Sequence, residues 1–372
     1  METVSFQPVI GQDEFRARYL QLHKQIWAST DFDLDQVSTC IYKAPEGYYT
    51  VDPFPLHDGE QWHLFYVTGR MAHCDEFIEA MARGDFAAAS KTPYEEGEGH
   101  ALGKTLFDLK FHSRILTERQ GEFAFGLQGD SSIVRHGGRW LNLYSTRGPQ
   151  GGSMSLAYSD NLFDWELDPN NPIFQPPDWA LATGQIGHSW IVRSGDRYLI
   201  YYSAEHKNGL GAAGLLSTED FRSFQDHGPV LMVPKQLRGT RNIEAVTAVF
   251  RDGLWHLFYN LGEGTWHAVS DRPDRFSGPT ATTGPWRSWV HAGSYFLGRF
   301  HAARVFQDPT DGKWYMIYTR KEYQRHLNRK DGVLKFRGTV ADESALLDGL
   351  FLCEVQWQGD QPILKKPSRK ET

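Results

Sequence analysis

Ionisable side chains recur at similar points in five related segments of the sequence. Asp52, Asp130 and His188 each lie ten residues before an aromatic residue that begins a second apolar stretch. In the fourth segment the same count falls beside Glu244, and in the fifth, whose turn is longer, it falls near His301. Unpaired charges are costly inside a protein, so this recurrence predicts a site rather than a packing choice.

Several carboxylates gathered in one place suit the cleavage of a glycosidic bond. One carboxylate attacks the anomeric carbon or activates water, while a protonated carboxyl gives its proton to the leaving oxygen. Crowding raises the pKa of one carboxyl and keeps it an acid near neutral pH. We therefore expect Asp52, Glu244 and Asp130 to be the catalytic residues.

Cations and aromatic rings near these carboxylates could bind the substrate. His188 and His301 could contact substrate hydroxyls, or could be hydrogen-bonded core residues. Arg241 lies three residues before the predicted acid and could bind substrate or hold that acid ionised. Trp190 and Trp266 lie near strand starts and could stack on a sugar ring, although most Trp residues of β-proteins are core residues. These five residues are the predicted substrate-binding set.

The elements that must position these residues are five β-hairpins. Each hairpin has an apolar strand, a tight turn rich in Gly and Asp, and a second strand that starts with an aromatic residue. From the second repeat onward these aromatic residues are 57–59 residues apart. A third and a fourth strand follow most hairpins, so each repeat makes one blade, and the sequence predicts an all-β, five-bladed β-propeller. The aromatic residues that mark the repeats are Trp62, Trp140, Tyr198, Trp255 and Trp314.

The predicted propeller spans residues 46–360 and forms the catalytic domain. An N-terminal helical segment, 1–45, carries an apolar stripe between Phe15 and Ile26, which could pack on the propeller or join two subunits in a homo-oligomer. A helical insertion in blade 1 is predicted over about 71–98. The last residues, 361–372, read as a polar tail.

Composition excludes several other classes. The formal charge is −7 and no basic stripe offsets it, so a nucleic-acid partner is not expected. Neither a membrane span nor a signal peptide is visible, which makes the cytoplasm the expected location. Cys40, Cys74 and Cys353 are far apart and predict neither a metal site nor a disulfide. The expected partner is a small-molecule carbohydrate, and no cofactor is expected.

Two motifs resemble those of a known group of enzymes. Val51–Pro53 is similar to an Asn-Asp-Pro motif, the strand His63–Tyr66 follows it, and Glu244 stands in the context RNIEAV. The chain after Gly47 thus resembles the five-bladed propeller glycosidases, which are glycoside hydrolase families 43, 32, 68 and their relatives. The resemblance implies that Asp52 is the nucleophile or general base and that Glu244 is the general acid.

The sequence departs from that group at two positions. A third Asp is usual in the middle blade of these families, whereas here the equivalent segment is Gly187–Ser189, with His188 at its centre. Val51 stands where the fructosidase branch has Asn. Either Asp130 takes the stabilising role of the third carboxylate, or the substrate and mechanism differ.

The expected function is hydrolysis of a furanosyl or related small glycoside. A phosphorylase or transglycosidase of the same fold is an alternative, because Arg241, Arg299 and His301 could bind phosphate. A propeller that binds carbohydrate without catalysis is a further alternative, which the missing third Asp favours.

Overall fold

The structure is a computed structural model, and its described part is built almost entirely of β-strands. One short helix, α1 (Leu34–Val37), precedes strand β1 (Thr39–Tyr42). The described residues are 34–73, 76, 96–117, 128–148, 151–207, 209–234, 243–261, 264–276, 295–298, 301–321, 327–330, 333–336 and 347–368.

Four sheets each contain four antiparallel strands that follow one another along the chain. Blade 1 consists of β2 (Val51–His57), β3 (Trp62–Thr68), β4 (Gly97–Gly103) and β5 (Lys110–Ile115). Blade 2 consists of β6 (Gln128–His136), β7 (Arg139–Gly148), β8 (Gly151–Ser159) and β9 (Glu166–Leu167). Blade 3 consists of β10 (Ile186–Ser194), β11 (Arg197–Glu205), β12 (Leu210–Thr218) and β13 (Gln225–Pro234). Blade 4 consists of β14 (Glu244–Arg251), β15 (Leu254–Leu261), β16 (Gly264–Ser270) and β17 (Tyr295–Gly298).

Blade 5 joins the two ends of the described chain. It begins with β18 (His301–Gln307) and β19 (Trp314–Lys321), after which β20 (Leu327–Lys330) and β21 (Val333–Phe336) form a separate hairpin. The long strand β22 (Leu347–Gln358) then pairs with β19. Its first half also pairs with β1, and its second half pairs with β23 (Gln361–Lys365).

The five blades form a closed ring. The first strand of each blade contacts the first strand of the next, in the order β2, β6, β10, β14 and β18, and β18 in turn contacts β2. The fold is therefore the predicted five-bladed β-propeller. Among the described residues no helix is long and apolar enough to cross a membrane.

Apolar cores fill the spaces between neighbouring blades. Every residue of β3 is buried, because its sheet is covered by a blade on each side. One core joins blades 3 and 4 around Tyr201 and Leu257, and another joins blades 5 and 1 around Ile317 and Leu64. Fully burying one aliphatic side chain contributes about 1.5–3 kcal/mol to the stability of the fold, so these cores hold neighbouring blades together.

Both predicted ends of the propeller differ from the structure. The segment 1–45 was expected to be helical, yet α1 has four residues and β1 follows it as a strand of blade 5. The tail 361–372 was expected to be irregular, yet its first five residues form β23. The physical reason is shared: the edge of β22 presents backbone N–H and C=O groups that need partners, and both segments supply them.

Two predicted helices fall largely outside the described residues. The stripe from Phe15 to Ile26 lies entirely outside them, as does any subunit contact through it. Within the insertion over 71–98, residues 71–73 and 76 are helical, whereas 97 and 98 already belong to β4. Residues 74, 75 and 77–95 of that insertion lie outside the described residues.

Candidate functional site

The first strand of every blade contains one β-bulge at its axial end. Pairing with the second strand is interrupted after the first or second residue of each first strand and resumes three residues later. The first residue inside each bulge has a left-handed backbone, with φ between 46° and 60°, a conformation that is unfavourable for any residue other than Gly. Five equal irregularities at one end of the ring indicate a built feature, since bulges re-aim side chains. The left-handed residues are Asp52, Asp130, His188, Ala245 and Ala302.

Three of these residues bring their side chains together. Asp130 Oδ1 lies 3.1 Å from His188 Nδ1, and the two side chains are almost fully buried. Asp52, Asp130 and His188 each offer a polar atom within 4.8 Å of the other two. The ten-residue count from the marker aromatics therefore identified equivalent positions in blades 1, 2 and 3.

In blades 4 and 5 the ionisable residue precedes the left-handed residue, which is Ala. Glu244 is 3% exposed and precedes the left-handed Ala245 of the blade 4 bulge, and it lies near enough to His188 for its charge to raise the pKa of that imidazole. His301 Nε2 lies 3.5 Å from Asp52 Oδ1, and its other ring nitrogen lies 3.3 Å from Asn260 Nδ2. The described residues thus bring together the three predicted catalytic carboxylates and both predicted histidines.

Hydroxyl groups from preceding blades hold two of the bulges in place. The backbone N–H of Asp52 donates to Thr319 Oγ1 over 3.0 Å, and that of His188 donates to Ser145 Oγ over 2.9 Å. Thr319 and Ser145 occupy the same position, five residues after the marker aromatic of their blades. These two bulges are therefore positioned by the second strand of the preceding blade.

His188 is held in its protonated form. Burial lowers the pKa of His188, but the negative charges of Asp130, Glu244 and Asp52 outweigh that cost and raise the pKa to about 9. At neutral pH an imidazolium ion pairs with the Asp130 carboxylate. Gln185 Nε2 lies 2.8 Å from the other ring nitrogen, and the amide oxygen of Gln185 must take that place to accept a hydrogen bond from an imidazolium.

Sequence reasoning missed one buried cation near the cluster. Arg304 on β18 is 1% exposed, and it donates through Nη1 to the carbonyl oxygen of Val246 over 2.7 Å. Burial lowers the pKa of Arg304 to about 10, against the opposing effect of Asp130 and Asp52. The available signal was an Arg within the apolar stretch HAARVF, where an unpaired charge is costly.

Side chains from three blades meet across the propeller axis. Trp190 of blade 3 lies with its ring centroid 5.4 Å from that of Phe54 in blade 1, and the Arg304 guanidinium of blade 5 lies 5.5 Å from the Trp190 ring centroid. Blade 3 neighbours neither blade 1 nor blade 5, so both contacts cross the axis. Trp190 is half-buried where these side chains meet, and its predicted contact with substrate remains a prediction.

Two predicted substrate-binding residues have other outcomes. The prediction for Trp266 is wrong, because its side chain is fully buried in the core between blades 3 and 4, where a sugar ring cannot reach it. Its position near a strand start did not reveal that this strand, β16, is covered on both faces. Arg241 lies outside the described residues.

The same cluster has the donor types of a cation site. Carboxylate and imidazole atoms of Asp52, Asp130 and His188 are close enough to share one ion. A metal ligand must be a neutral imidazole, however, and the pKa of His188 is raised to about 9. The ion pair with Asp130 therefore competes with metal binding at neutral pH.

Comparison of the whole fold finds similar solved structures among glycoside hydrolases. A GH32 β-fructofuranosidase from Bombyx mori aligns with 96% of this chain and 70% of its own at a TM-score of 0.59, with 13% identity. A thermostable family-43 glycoside hydrolase aligns with 90% and 98% at 0.58, with 12% identity. Fructan 1-exohydrolase IIa from Cichorium intybus aligns with 88% and 60% at 0.62, with 15% identity.

At these identities the comparison establishes the shared five-bladed fold. No protein-family profile matches the sequence, and no curated protein is similar to it in sequence. Chemistry must therefore be argued from the residues at the axis.

Proposed function

We propose that this chain is a glycoside hydrolase that cleaves a furanosyl or related small glycoside. The observation that carries the proposal is the clustering of Asp52 and Asp130 around His188, with Glu244 near enough to act on the same imidazole, at one end of the propeller axis. The similar solved structures support it, since their names describe enzymes that hydrolyse fructosides and other glycosides.

In the proposed reaction Asp52 and Glu244 divide the work of bond cleavage. Glu244 donates a proton to the leaving oxygen, a role that requires its carboxyl group in the protonated form. Asp52 attacks the anomeric carbon or activates a water molecule. His301, which lies 3.5 Å from Asp52, orients that carboxylate.

The ion pair of Asp130 and His188 takes the place of the third carboxylate. A free carboxylate there would add a negative charge beside Asp52, whereas Asp130 shares its charge with His188 over 3.1 Å. The pair can still accept hydrogen bonds from sugar hydroxyls through the carboxylate. We infer that it positions the sugar and moderates the charge that faces the transition state.

The test is the turnover of two conservative variants. We expect Asp52→Asn and Glu244→Gln each to lower kcat by about 100-fold or more, since each proton transfer or nucleophilic step contributes about 10²–10⁴. Release of reducing sugar from a panel of furanosides and pyranosides measures this, with circular dichroism to verify folding. Glu166→Gln, an exposed carboxylate on β9, is the matched control and should leave turnover unchanged.

Near-normal turnover in either folded variant would contradict the assigned roles. Binding of a sugar without any turnover by the unaltered protein would instead favour a carbohydrate-binding propeller.

Phosphorolysis is the second candidate because cations stand beside the carboxylates. His188 is protonated at neutral pH, and His301 faces Asp52, so a phosphate could be accommodated as the attacking group. Release of sugar phosphate that rises with inorganic phosphate would support this candidate. Hydrolysis at the same rate without phosphate would reject it.

A further inference from the structure

A buried carboxylate outside the proposed reaction lies directly behind Asp130. Glu98 on β4 is completely buried, and its nearest partners come from blade 2. Ser131, the residue that follows Asp130, donates its backbone N–H to Glu98 Oε1 over 2.8 Å and its hydroxyl to Oε2. Asn142 Nδ2 lies 3.4 Å from Glu98 Oε2 and 2.5 Å from Ser131 Oγ. A carboxylate at this interface is costly to bury, so its presence requires a reason.

Blade 2 lacks the side-chain hydroxyl group that anchors the bulges of blades 1 and 3. The bulges of blades 1 and 3 are held by Thr319 and Ser145, each five residues after a marker aromatic. The same position in front of blade 2 is Val67, which has no side-chain acceptor. Val67 packs against this bulge, since a Cβ added to Gly129 would lie 2.6 Å from Val67 Cγ2.

Glu98 supplies an acceptor to the next N–H of the same bulge, that of Ser131 rather than that of Asp130. It is the β4 residue directly paired with Val67, and it reaches across to the peptide that joins Asp130 to Ser131. The orientation of that peptide sets the backbone angle ψ of Asp130, which helps to direct its side chain toward His188.

The charge state of Glu98 fits a local role. Burial raises the pKa of Glu98 to about 7, the Ser131 hydrogen bonds oppose that rise, and the Asp130 charge adds to it. Glu98 accepts the Ser131 N–H whether or not its carboxyl group is protonated. Anchoring thus needs an acceptor at this position and no fixed charge.

We propose that Glu98 is a positioning residue that anchors Asp130, replacing the hydroxyl group that performs this task for Asp52 and His188. The inference rests on the proposed function for its catalytic consequence. Its structural part concerns only the pairing of Asp130 with His188.

The test measures the titration of the His188 ring by NMR in three variants. Glu98→Met removes the acceptor and keeps the size, so Asp130 should swing away and the His188 pKa should fall from about 9 by about one unit or more. Glu98→Gln keeps an acceptor for Ser131, so its titration should remain close to that of the unaltered protein. Adding Val67→Thr to Glu98→Met supplies the hydroxyl that other blades use, and should restore the titration.

Two further measurements separate positioning from general damage. Glu96→Met, the same change as Glu98→Met at the carboxylate that pairs with Arg114, is the control and should leave the His188 titration unchanged. The effect of Glu98→Met on kcat/KM should be about tenfold or more, carried by kcat, because misplacement of a catalytic group is expensive. The ring titration needs no turnover, so an inactive protein would refute the proposed function and leave this test intact.

Other groups facing His188 and Asp130 are common to all variants and cannot cause a difference. An unchanged His188 titration in folded Glu98→Met would overturn the proposal. So would the failure of Val67→Thr to restore either the fold or the titration in that background. The groups held constant are Asp52, Gln185, Glu244 and Arg304.

Discussion

At the scale of single residues, the site was predictable wherever one blade repeats another. Asp52, Asp130 and His188 were located by one count, because the same bulge occurs at the same distance from each marker aromatic. Arg304 and Glu98 were missed, because their roles depend on residues of other blades that no local pattern reveals. Contacts between residues of different blades are visible only in the three-dimensional structure.

His188 gives a prediction for pH dependence. Its pKa in the folded protein, about 9, lies above the ordinary value of about 6.5, so the ion pair stabilises the fold fully below pH 6.5. That contribution is lost as the pH rises through 9. We expect both kcat/KM and the urea midpoint to fall in this range, and His188→Gln to abolish the alkaline fall in kcat/KM. Rate profiles with the same alkaline limb in both proteins would contradict the role of this group.

At the scale of elements, strand order followed from periodicity, whereas the bulge required the structure. The second strands were predictable as continuous apolar runs beginning with an aromatic, and β3 is buried throughout. Strand β1 was not predictable, because Thr39–Tyr42 is too short for its sequence pattern to indicate a conformation. It becomes a strand by pairing with β22, about 300 residues later. The conformation of such short segments is decided by their pairing with distant strands.

Gly187 gives a prediction for the bulge of blade 3. Its φ is +146°, and a Cβ there would overlap the Ser145 side chain that holds the His188 N–H. We expect Gly187→Ala to lower the free energy of unfolding by about 1–3 kcal/mol, measured by urea denaturation, and to reduce turnover as well. Gly195→Ala is the control, since φ there is +63° but no atom lies within 4 Å of the added Cβ. An equal loss in both variants would show that the overlap is unimportant.

At the scale of the whole molecule, stability depends on closing the ring. Blade 5 is completed by β1, and the Tyr42 hydroxyl of that strand lies 2.7 Å from the Tyr66 hydroxyl of blade 1. The number of blades was predictable from the repeat, whereas the strand that joins the first and last of them was not. A repeat pattern identifies the blades but does not reveal the strand that joins the first blade to the last.

Ring closure gives a prediction for truncated proteins. A variant that begins at Leu34 keeps β1, and one that begins at Glu46 lacks it. We expect the shorter protein to lose several kcal/mol of unfolding free energy, because Ile41 and Tyr42 leave an apolar core and β22 loses its partner. Differential scanning calorimetry of the two proteins measures the difference. Equal transition temperatures would contradict the role of β1 as the closing strand.

The contacts across the axis bear on how a substrate of the proposed hydrolase would approach the carboxylates. Phe54, Trp190 and Arg304 meet across the centre, so in the described part of the chain their side chains lie in the path of anything that passes along the axis. If the proposed hydrolase acts on an oligosaccharide, we expect it to bind the end of the chain or a side branch rather than a stretch threaded through the ring. Sugar units would then be released one at a time from that end.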